Sequence, residues 1–353
     1  FYDGQLPGPV IRVTEGELLR VRFVNLLPEE STVHFHGLPV PSGMDGVPGV
    51  SRPPVQPGQE FTYEFVAQPA GTYWFHPHVG LQIDRGLYGA LIIDPAGPGD
   101  PPFDIEHTVV LDDWLSGPPI PGQEPVYATH LINGKTSLGQ VPLSVQPGQQ
   151  VRLRFLNGAA ATSYVVAIDG HPLTVTHADG NRVQPVTVEA LPIAPGERYD
   201  VLVTANNPGT WSIAAAVYGN RFVTRTRGIL QYAGSTLPAP APTYVPPFLS
   251  SGTLLNYTML AAADPVPPIA AVPDRTHNVI LSGGSPFSYN WYINGQAWPN
   301  VTPLPVQYGE SVRLNMFSMG GGMGGGMMGG MMQHPMHLHG HFFRVLGTAG
   351  GTT

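Results

Sequence analysis

Apolar and polar residues alternate in short runs along this chain. Three runs are clearest: Leu19-Arg20-Val21-Arg22-Phe23-Val24-Asn25, Val151-Arg152-Leu153-Arg154-Phe155-Leu156-Asn157 and Val312-Arg313-Leu314-Asn315-Met316. A period of two predicts strands with one face turned to a core. The same punctuation precedes each run. Asp3-Gly4-Gln5, Asn133-Gly134-Lys135 and Asn294-Gly295-Gln296 predict tight turns, and Gly16-Glu17, Pro147-Gly148 and Gly309-Glu310 predict the turn that opens the strand. A second half-motif follows in the first two copies. Pro57-Gly58-Gln59 leads through Phe61-Thr62-Tyr63-Glu64-Phe65 to Gly71-Thr72-Tyr73-Trp74, and Pro195-Gly196-Glu197 through Tyr199-Asp200-Val201-Leu202-Val203 to Gly209-Thr210-Trp211. The Gly-to-Gly interval is thirteen residues in both, so the chain reads as tandem copies of one β-sandwich.

The repeat sets the expected boundaries: a first domain over 1–98, a second over 99–234, a linker region over 235–275 that is Pro- and Ala-rich at its start, and a partial third domain over 276–353. The third copy has no second half-motif, because Gly309 stands 44 residues from the last residue and much of that interval is a Met/Gly insertion. A sandwich without its closing strands would expose sheet edges and half its core, so we expect the sequence to be a piece of a longer protein. Composition fits an all-β class: only 11% of residues are charged, while 44 Gly and 40 Pro call for many turns and few helices. A length of 353 residues exceeds what one core usually serves. The net charge of −8 argues against nucleic acid or an anionic membrane as partner. No apolar run approaches the roughly 18 residues needed to cross a bilayer. The absence of cysteine leaves disulfides silent about the redox compartment.

The histidines carry the chemistry. His34-Phe35-His36-Gly37 and His76-Pro77-His78 lie in strand-like segments, where residues two apart share a face, so each pair offers two imidazoles to one place. A lone buried histidine is usually a hydrogen-bonded core residue. Two pairs in one domain are different, because four packed imidazoles without a cation cost desolvation and repel one another on protonation. The second copy is an internal control: aligned from Asn25 on Asn157, it puts Val166 and Ile168 opposite His34 and His36, and Ala214-Ala215-Ala216 opposite His76-Pro77-His78. The fold therefore does not need those histidines, and a metal does. His334-Pro335-Met336-His337-Leu338-His339-Gly340 restates the motif near the end of the chain. Domains one and three thus carry metal half-sites and domain two is a spacer. All-nitrogen ligands suit copper better than calcium or magnesium and leave zinc as the alternative.

These motifs, in this order, resemble the three-domain multicopper oxidases, the family of laccases, ascorbate oxidase and bacterial cuprous oxidases. The likeness covers nearly the whole chain and three of the family's four copper motifs. It implies tandem cupredoxin-like Greek-key β-sandwich domains, the third incomplete, and an oxidase that passes single electrons from a type 1 copper to a trinuclear cluster that reduces O2 to water. By motif, the resemblance implies His34 and His337 as type 2 copper ligands, His36, His76, His78 and His339 as type 3 ligands, and His334 as one type 1 ligand. The family's fourth motif, His-Cys-His with a further His, is absent, so the type 1 site is incomplete here. Asp45, in Met44-Asp45-Gly46, matches an acidic position near the type 2 copper, where a carboxylate relay serves the four protons of O2 reduction; the plain alternative is a turn aspartate before glycine. His107, His130, His171, His177, His277 and His341 match no ligand position and read as structural or surface residues. The implied reductants are phenols, aromatic amines or Cu(I), and the implied location is periplasmic or secreted.

One segment stands outside the repeat. Eight of the ten methionines fall between Met316 and Met336, spaced by glycines. Nine residues separate Asn25 from His34 but nineteen separate Ser318 from His337, an insertion of ten. It reads either as a low-complexity loop or as a soft thioether site for Cu(I) next to His334. Two other functional classes stand beside the oxidase: a copper-handling protein without catalysis, and a relative of two-domain nitrite reductases, which three repeats and two His-x-His pairs in one domain disfavour. A zinc hydrolase is more distant, since no nucleophile or open three-ligand site is evident.

Overall fold

The structure, a computed structural model, describes residues 1–118, 120, 123, 125–285, 288–319, 333–348 and 351–352. It divides into two compact units: Phe1–Ser116 with Ala128–Asp264 and Pro335–Thr353, and Gly117–Tyr127 with Pro265–His334.

In the larger unit the N-terminal sandwich has strands β1 (Ile11–Thr14), β2 (Leu18–Val24), β3 (His34–His36), β4 (Glu60–Val66), β5 (Gly71–His76) and β6 (Gly89–Asp94). They form a sheet in the order β1-β6-β5-β3 and a β2-β4 pair. The second sandwich follows with β7 (Ile105–Trp114), β8 (Thr129–Ile132), β9 (Leu143–Val145), β10 (Gln150–Asn157), β11 (Tyr164–Ile168), β12 (Leu173–Ala178), β13 (Asn181–Val188), β14 (Leu191–Ile193), β15 (Arg198–Thr204), β16 (Thr210–Val217) and β17 (Thr224–Tyr232). Its sheets run β13-β12-β15-β10-β7-β8 and β14-β11-β16-β17-β9. The expected repeat is visible strand by strand: β1 lies parallel to β6 as β9 does to β17, β2 pairs with β4 as β10 with β15, and β3 with β5 as β11 with β16.

The smaller unit holds β18 (Arg275–Ser285), β19 (Ser288–Ile293) and β20 (Val312–Ser318) in the order β19-β18-β20. The parallel β18–β20 ladder repeats β7–β10. Among the described residues no strand pairs with β20 as β15 pairs with β10. The predicted turns recur in all three copies. Asp3, Asn133 and Asn294 have φ of 47, 50 and 52°, and Gly16, Gly148 and Gly309 all have 88°, a region that Asn, Asp and Gly tolerate best. In two copies the turn asparagine also clamps the strand paired with the one it follows. The Val110 amide donates to Asn133 Oδ1 (2.7 Å) and the Ile280 amide to Asn294 Oδ1 (2.8 Å).

Strand alternation decides what each sheet face carries. On β3 and β5, Phe35, Tyr73 and Phe75 enter a core shared with Val33, Tyr63, Phe65, Leu91 and Ile93, which leaves His34, His36, Trp74 and His76 on the other face. On β11 and β16, Val166, Ile168, Ile213 and Ala215 enter the larger second core, while Val165, Ala167, Ala214 and Ala216 face outward. That outward face is covered by a short helix, α1 (Pro247–Ser251), whose Leu249 is fully buried against the alanines. α1 belongs to the stretch expected as a linker region. Its neighbours also pack on the second sandwich, through backbone pairs of Leu254 with Ala190 and Ala262 with Val183.

The ladders correct the alignment used as internal control. His34 pairs with His76 and Phe35 with Phe75, whereas Val165 pairs with Ala216 and Val166 with Ala215. With the core-facing residues matched, His34, His36 and His76 correspond to Val165, Ala167 and Ala216, not to Val166, Ile168 and Ala214. A slip of one residue turns every side chain to the opposite face, and the loops before β3 and β11 differ in length by that much. The counterparts remain apolar.

Candidate metal centre

β3 and β5 are short, antiparallel and in register, so three imidazoles emerge together from one face. His78 lies beyond the end of β5, past Pro77, which has no amide to continue the ladder; its own amide donates instead to Thr32 Oγ1 at 3.0 Å. The pairs expected from sequence thus meet, although the second joins a strand residue to one just beyond the strand's end. From the far end of the chain, within the same unit, His337 and His339 join them. The His337 ring stacks on His36 with centroids 3.7 Å apart and planes 15° from parallel, and His339 lies 4.2 Å from His34 and 5.1 Å from His78.

Two groups of ring nitrogens fall within 4.8 Å of one another: His34, His36 and His76, and His34, His78 and His339. Carbonyl acceptors fix two tautomers. His34 Nδ1–H donates to the Asp45 carbonyl (2.8 Å) and His76 Nδ1–H to the Pro77 carbonyl (3.0 Å), so the Nε2 atom of each neutral ring carries a lone pair. These lone pairs face other imidazoles: His34 Nε2 lies 3.3 Å from His337 Nε2, and His76 Nε2 lies 3.2 Å from His36 Nδ1. Two nitrogens on one tetrahedral ion, each about 2.0–2.1 Å from it, stand about 3.3 Å apart. The donor set therefore fits, in size and in chemistry, a transition-metal ion that imidazole binds.

Electrostatics agree. Burial, then the neighbouring His337 and Arg198, holds His36 well below the ordinary imidazole range. Burial and His34 do the same for His76. Burial, then His34 and His339, brings His78 and His337 to about 3. All four rings are neutral at pH 7 and open to a cation. Asp45 stands behind the rings, with His339 Nδ1–H donating to its Oδ2 at 3.0 Å and His34 Nδ1 3.2 Å from its Oδ1. Burial raises this carboxyl, but the bonds from His339 and His34 outweigh it and hold it below the usual range.

His334 does not join this group. It lies in the smaller unit, 6.2 Å ring to ring from Trp291, and among the described residues it belongs to no cluster of candidate ligands. Met323 to Met332 lie outside the described residues. Histidines set aside in the sequence have other partners: His130 the Tyr164 hydroxyl (2.7 Å), His171 the Tyr232 hydroxyl (2.6 Å), His177 the Asp100 carboxylate (3.3 Å), and His107 and His277 the carbonyls of Ser144 (3.3 Å) and Pro305 (3.0 Å). What the sequence did not single out is Arg198. It is 3% exposed, and its guanidinium bonds Thr72 on β5. The available signal was a charged residue opening a strand directly after a Pro-Gly turn.

Three family models described as multicopper oxidase match residues 1–97, 105–235 and 271–353. The chain is 34% identical to the multicopper oxidase MmcO of Mycobacterium tuberculosis over 99% of its own length and 73% of that protein. It is 34% identical to copper resistance protein A of Escherichia coli over 57% of its length and 42% of that protein. Among solved structures, the laccase from Botrytis aclada matches with a TM-score of 0.68 at 28% identity, over 83% of this chain and 59% of the laccase.

Proposed function

The chain belongs to the multicopper oxidase family, and from that premise we propose that its six converging imidazoles are this chain's share of a trinuclear copper cluster that reduces O2 to water. His34 and His337 hold the type 2 copper, and His36, His76, His78 and His339 the type 3 coppers. His334 would be one ligand of a type 1 copper, whose chemistry is one-electron transfer. The three domains, over 1–98, 99–234 and 276–353, are two half-sites and the body between them. The observation that carries this reading is the meeting of neutral imidazoles from both ends of the chain, with the Nε2 lone pairs of His34 and His76 turned toward neighbouring imidazoles.

Copper supplies the one-electron chemistry: four electrons taken singly, with four protons, convert one O2 to two waters. The chain's residues do the rest. Asp45 accepts Nδ1–H of His339 at its carboxylate and that of His34 at its carbonyl, which fixes both rings with Nε2 presented to metal. Despite its burial, the carboxylate is held below its ordinary range by His339 and His34 and stays ionised, so its part in a proton relay is to pass a proton on rather than to retain one. Trp74, 3% exposed and 4.1 Å from the His76 ring, shields the cluster from bulk water.

The reductants are phenols, aromatic amines or Cu(I); likeness to a laccase supports the first two and likeness to a copper resistance protein the third. The protein works in the periplasm or outside the cell, and among the described residues no helix is long and apolar enough to cross a membrane. One observation favours a narrower role for this chain by itself. It contains no cysteine, so it has no thiolate for a blue copper site, and alone it binds copper without turning over. Copper titration with metal analysis and electron paramagnetic resonance tests the assignment. His36→Ala with His76→Ala should weaken binding more than about 100-fold, beyond what loss of an outer-shell partner costs. Undiminished binding would sink the ligand set, and an intense blue band from this polypeptide would sink the thiolate argument.

A further inference from the structure

The second sandwich contributes no imidazole to the cluster, yet one of its side chains reaches it. Arg198 opens β15 directly after the Pro195-Gly196-Glu197 turn. Its Nε donates to the carbonyl of Thr72 (3.1 Å), four residues before His76 on β5. Its Nη1 donates to the Gly196 carbonyl (3.0 Å) and lies 3.1 Å from the Asp179 carboxylate. Nη2 fills the space beside Gly37, the residue after His36: a Cβ on Gly37 would lie 2.4 Å from it. The turn closes on the same histidine, since a Cβ on Gly196 would lie 3.1 Å from His36 Cε1. Gly340, the matching glycine after His339, has nothing within 4 Å of its would-be Cβ. The close approach is therefore not a demand of the His-x-His-Gly motif but of what sits against Gly37.

A guanidinium is costly to strip of water unless its donors are met. Here Nε and Nη1 are met by acceptors from both sandwiches, the Thr72 carbonyl on the ligand-bearing β5 and the Gly196 carbonyl in the turn against His36, with the Asp179 carboxylate alongside. Thr72 is gripped at its side chain as well: Oγ1 donates to Asp200 Oδ1 (2.7 Å) and accepts from Arg154 Nη1 (2.8 Å). We propose that Arg198 is a positioning residue of the copper cluster, reaching from the second sandwich to hold the His36-Gly37 segment and β5 in mutual register so that His36 and His76 meet 3.2 Å apart. This rests on the reading of His36 and His76 as copper ligands. Arginine suits the task because a planar fork bonds in three directions at once, where an ammonium on a flexible stem sets no plane. Its charge opposes a cation nearby, so the sign of the effect on copper affinity separates holding from repelling.

The test uses the full chain with Cu(II) as probe, comparing wild type, Arg198→Met, Arg198→Lys and Arg152→Met. Arg152 is equally buried but bonds Asp100 and Asp200, and its link to β5 runs indirectly through Asp200. Affinity is measured by calorimetric competition at a temperature where circular dichroism shows each variant folded, with the copper resonance spectrum alongside. Arg198→Met should bind Cu(II) about 10- to 100-fold more weakly, the range typical for loss of a supporting partner, with a broadened spectrum. Arg198→Lys should recover only part of the loss. Arg152→Met should melt at lower temperature yet bind copper as wild type does. Arg198→Met binding as tightly as wild type, or more tightly, overturns the proposal, as does equal copper loss in Arg152→Met. If Arg198→Met does not fold, a folded Arg198→Lys with wild-type affinity overturns it. A wild-type chain that binds no copper instead overturns the ligand assignment beneath it.

Discussion

The outward faces of two homologous sheets, β3–β5 and β11–β16, share a ladder but not a fate. One carries His34, His36, Trp74 and His76; the other carries Val165, Ala167, Ala214 and Ala216. Each face needs a cover, and the covers differ in kind. Over the alanines lies α1 with Leu249, an apolar lid on an apolar floor. Beside the histidines lie further imidazoles and a buried carboxylate. A sheet of this type closes by hydrophobic burial when its outward residues are small and apolar, and calls for a cation when they are imidazoles kept neutral by desolvation. On the proposed ligand assignment, the same scaffold serves as a spacer or a metal half-site according to about four side chains.

The comparison can be broken by exchange. Giving the first face the residues of the second, with His36→Ala and His76→Ala, should lower Cu(II) affinity by about 1000-fold, or roughly 4 kcal/mol. The metal-free protein should lose no thermal stability, since buried, crowded imidazoles give way to the residues the second copy uses. Calorimetry on the loaded and apo forms reads both effects, and an apo protein that unfolds would mean the histidines support the fold itself. Removing the lid from the other face is next in size. Leu249→Ala deletes a fully buried side chain and should cost about 2–4 kcal/mol in urea denaturation, with copper binding untouched. Weakened copper binding in that variant would show that the two faces are not independent.

The smallest effect concerns the turns. Gln59 in the first copy is exposed, and nothing lies within 4 Å of where a Cβ on Gly58 would be. Glu197 in the second is pushed up to about 7 by burial, then by Asp179, against bonds from the Tyr257 hydroxyl and the Ala194 amide. A raised carboxyl favours the folded state while protonated, and that contribution is lost as pH rises from the unfolded value, near 4.3, through about 7. Wild type should therefore lose about 1–3 kcal/mol relative to Glu197→Gln between about pH 4.5 and about pH 7.5. Gln59→Glu should add no such slope. Parallel stability curves for wild type and Glu197→Gln would show that this carboxyl titrates normally.

The repeat was legible because its turns are built from residues with little choice. Asn133-Gly134 and Asn294-Gly295 are among the few pairs that adopt consecutive positive φ without strain. The histidine pairs were legible because period two puts i and i+2 on one face. Register was not legible. Val165 and Val166 are equally apolar, so composition cannot say which faces the core, and only the ladder partner decides. Arg198 escaped notice because a charged residue at the start of a strand ordinarily faces water, and its burial depends on a second sandwich that no local pattern announces. α1 escaped because its Pro246-Pro247 start and proline-rich surroundings suggest an extended linker, while Leu249 gains its place only by finding an alanine floor. His334 and the glycine-spaced methionines remain where sequence left them, a ligand by motif and a segment outside the described residues.

His34 and His337 approach to 3.3 Å across 303 positions of sequence. On the proposed ligand assignment, the metal is therefore a cross-link, and one of very long span. In a chain-entropy picture, closing a loop of that length removes about 5–6 kcal/mol of freedom from the unfolded chain. The timing follows as well as the strength. A chain made from its N-terminus presents His34, His36, His76 and His78 early, but His337 and His339 only after nearly everything between has been synthesised. Copper arriving before then finds an unfinished cage. On that assignment, full-strength metal retention reports that His337 and His339 have come back to meet the N-terminal sandwich.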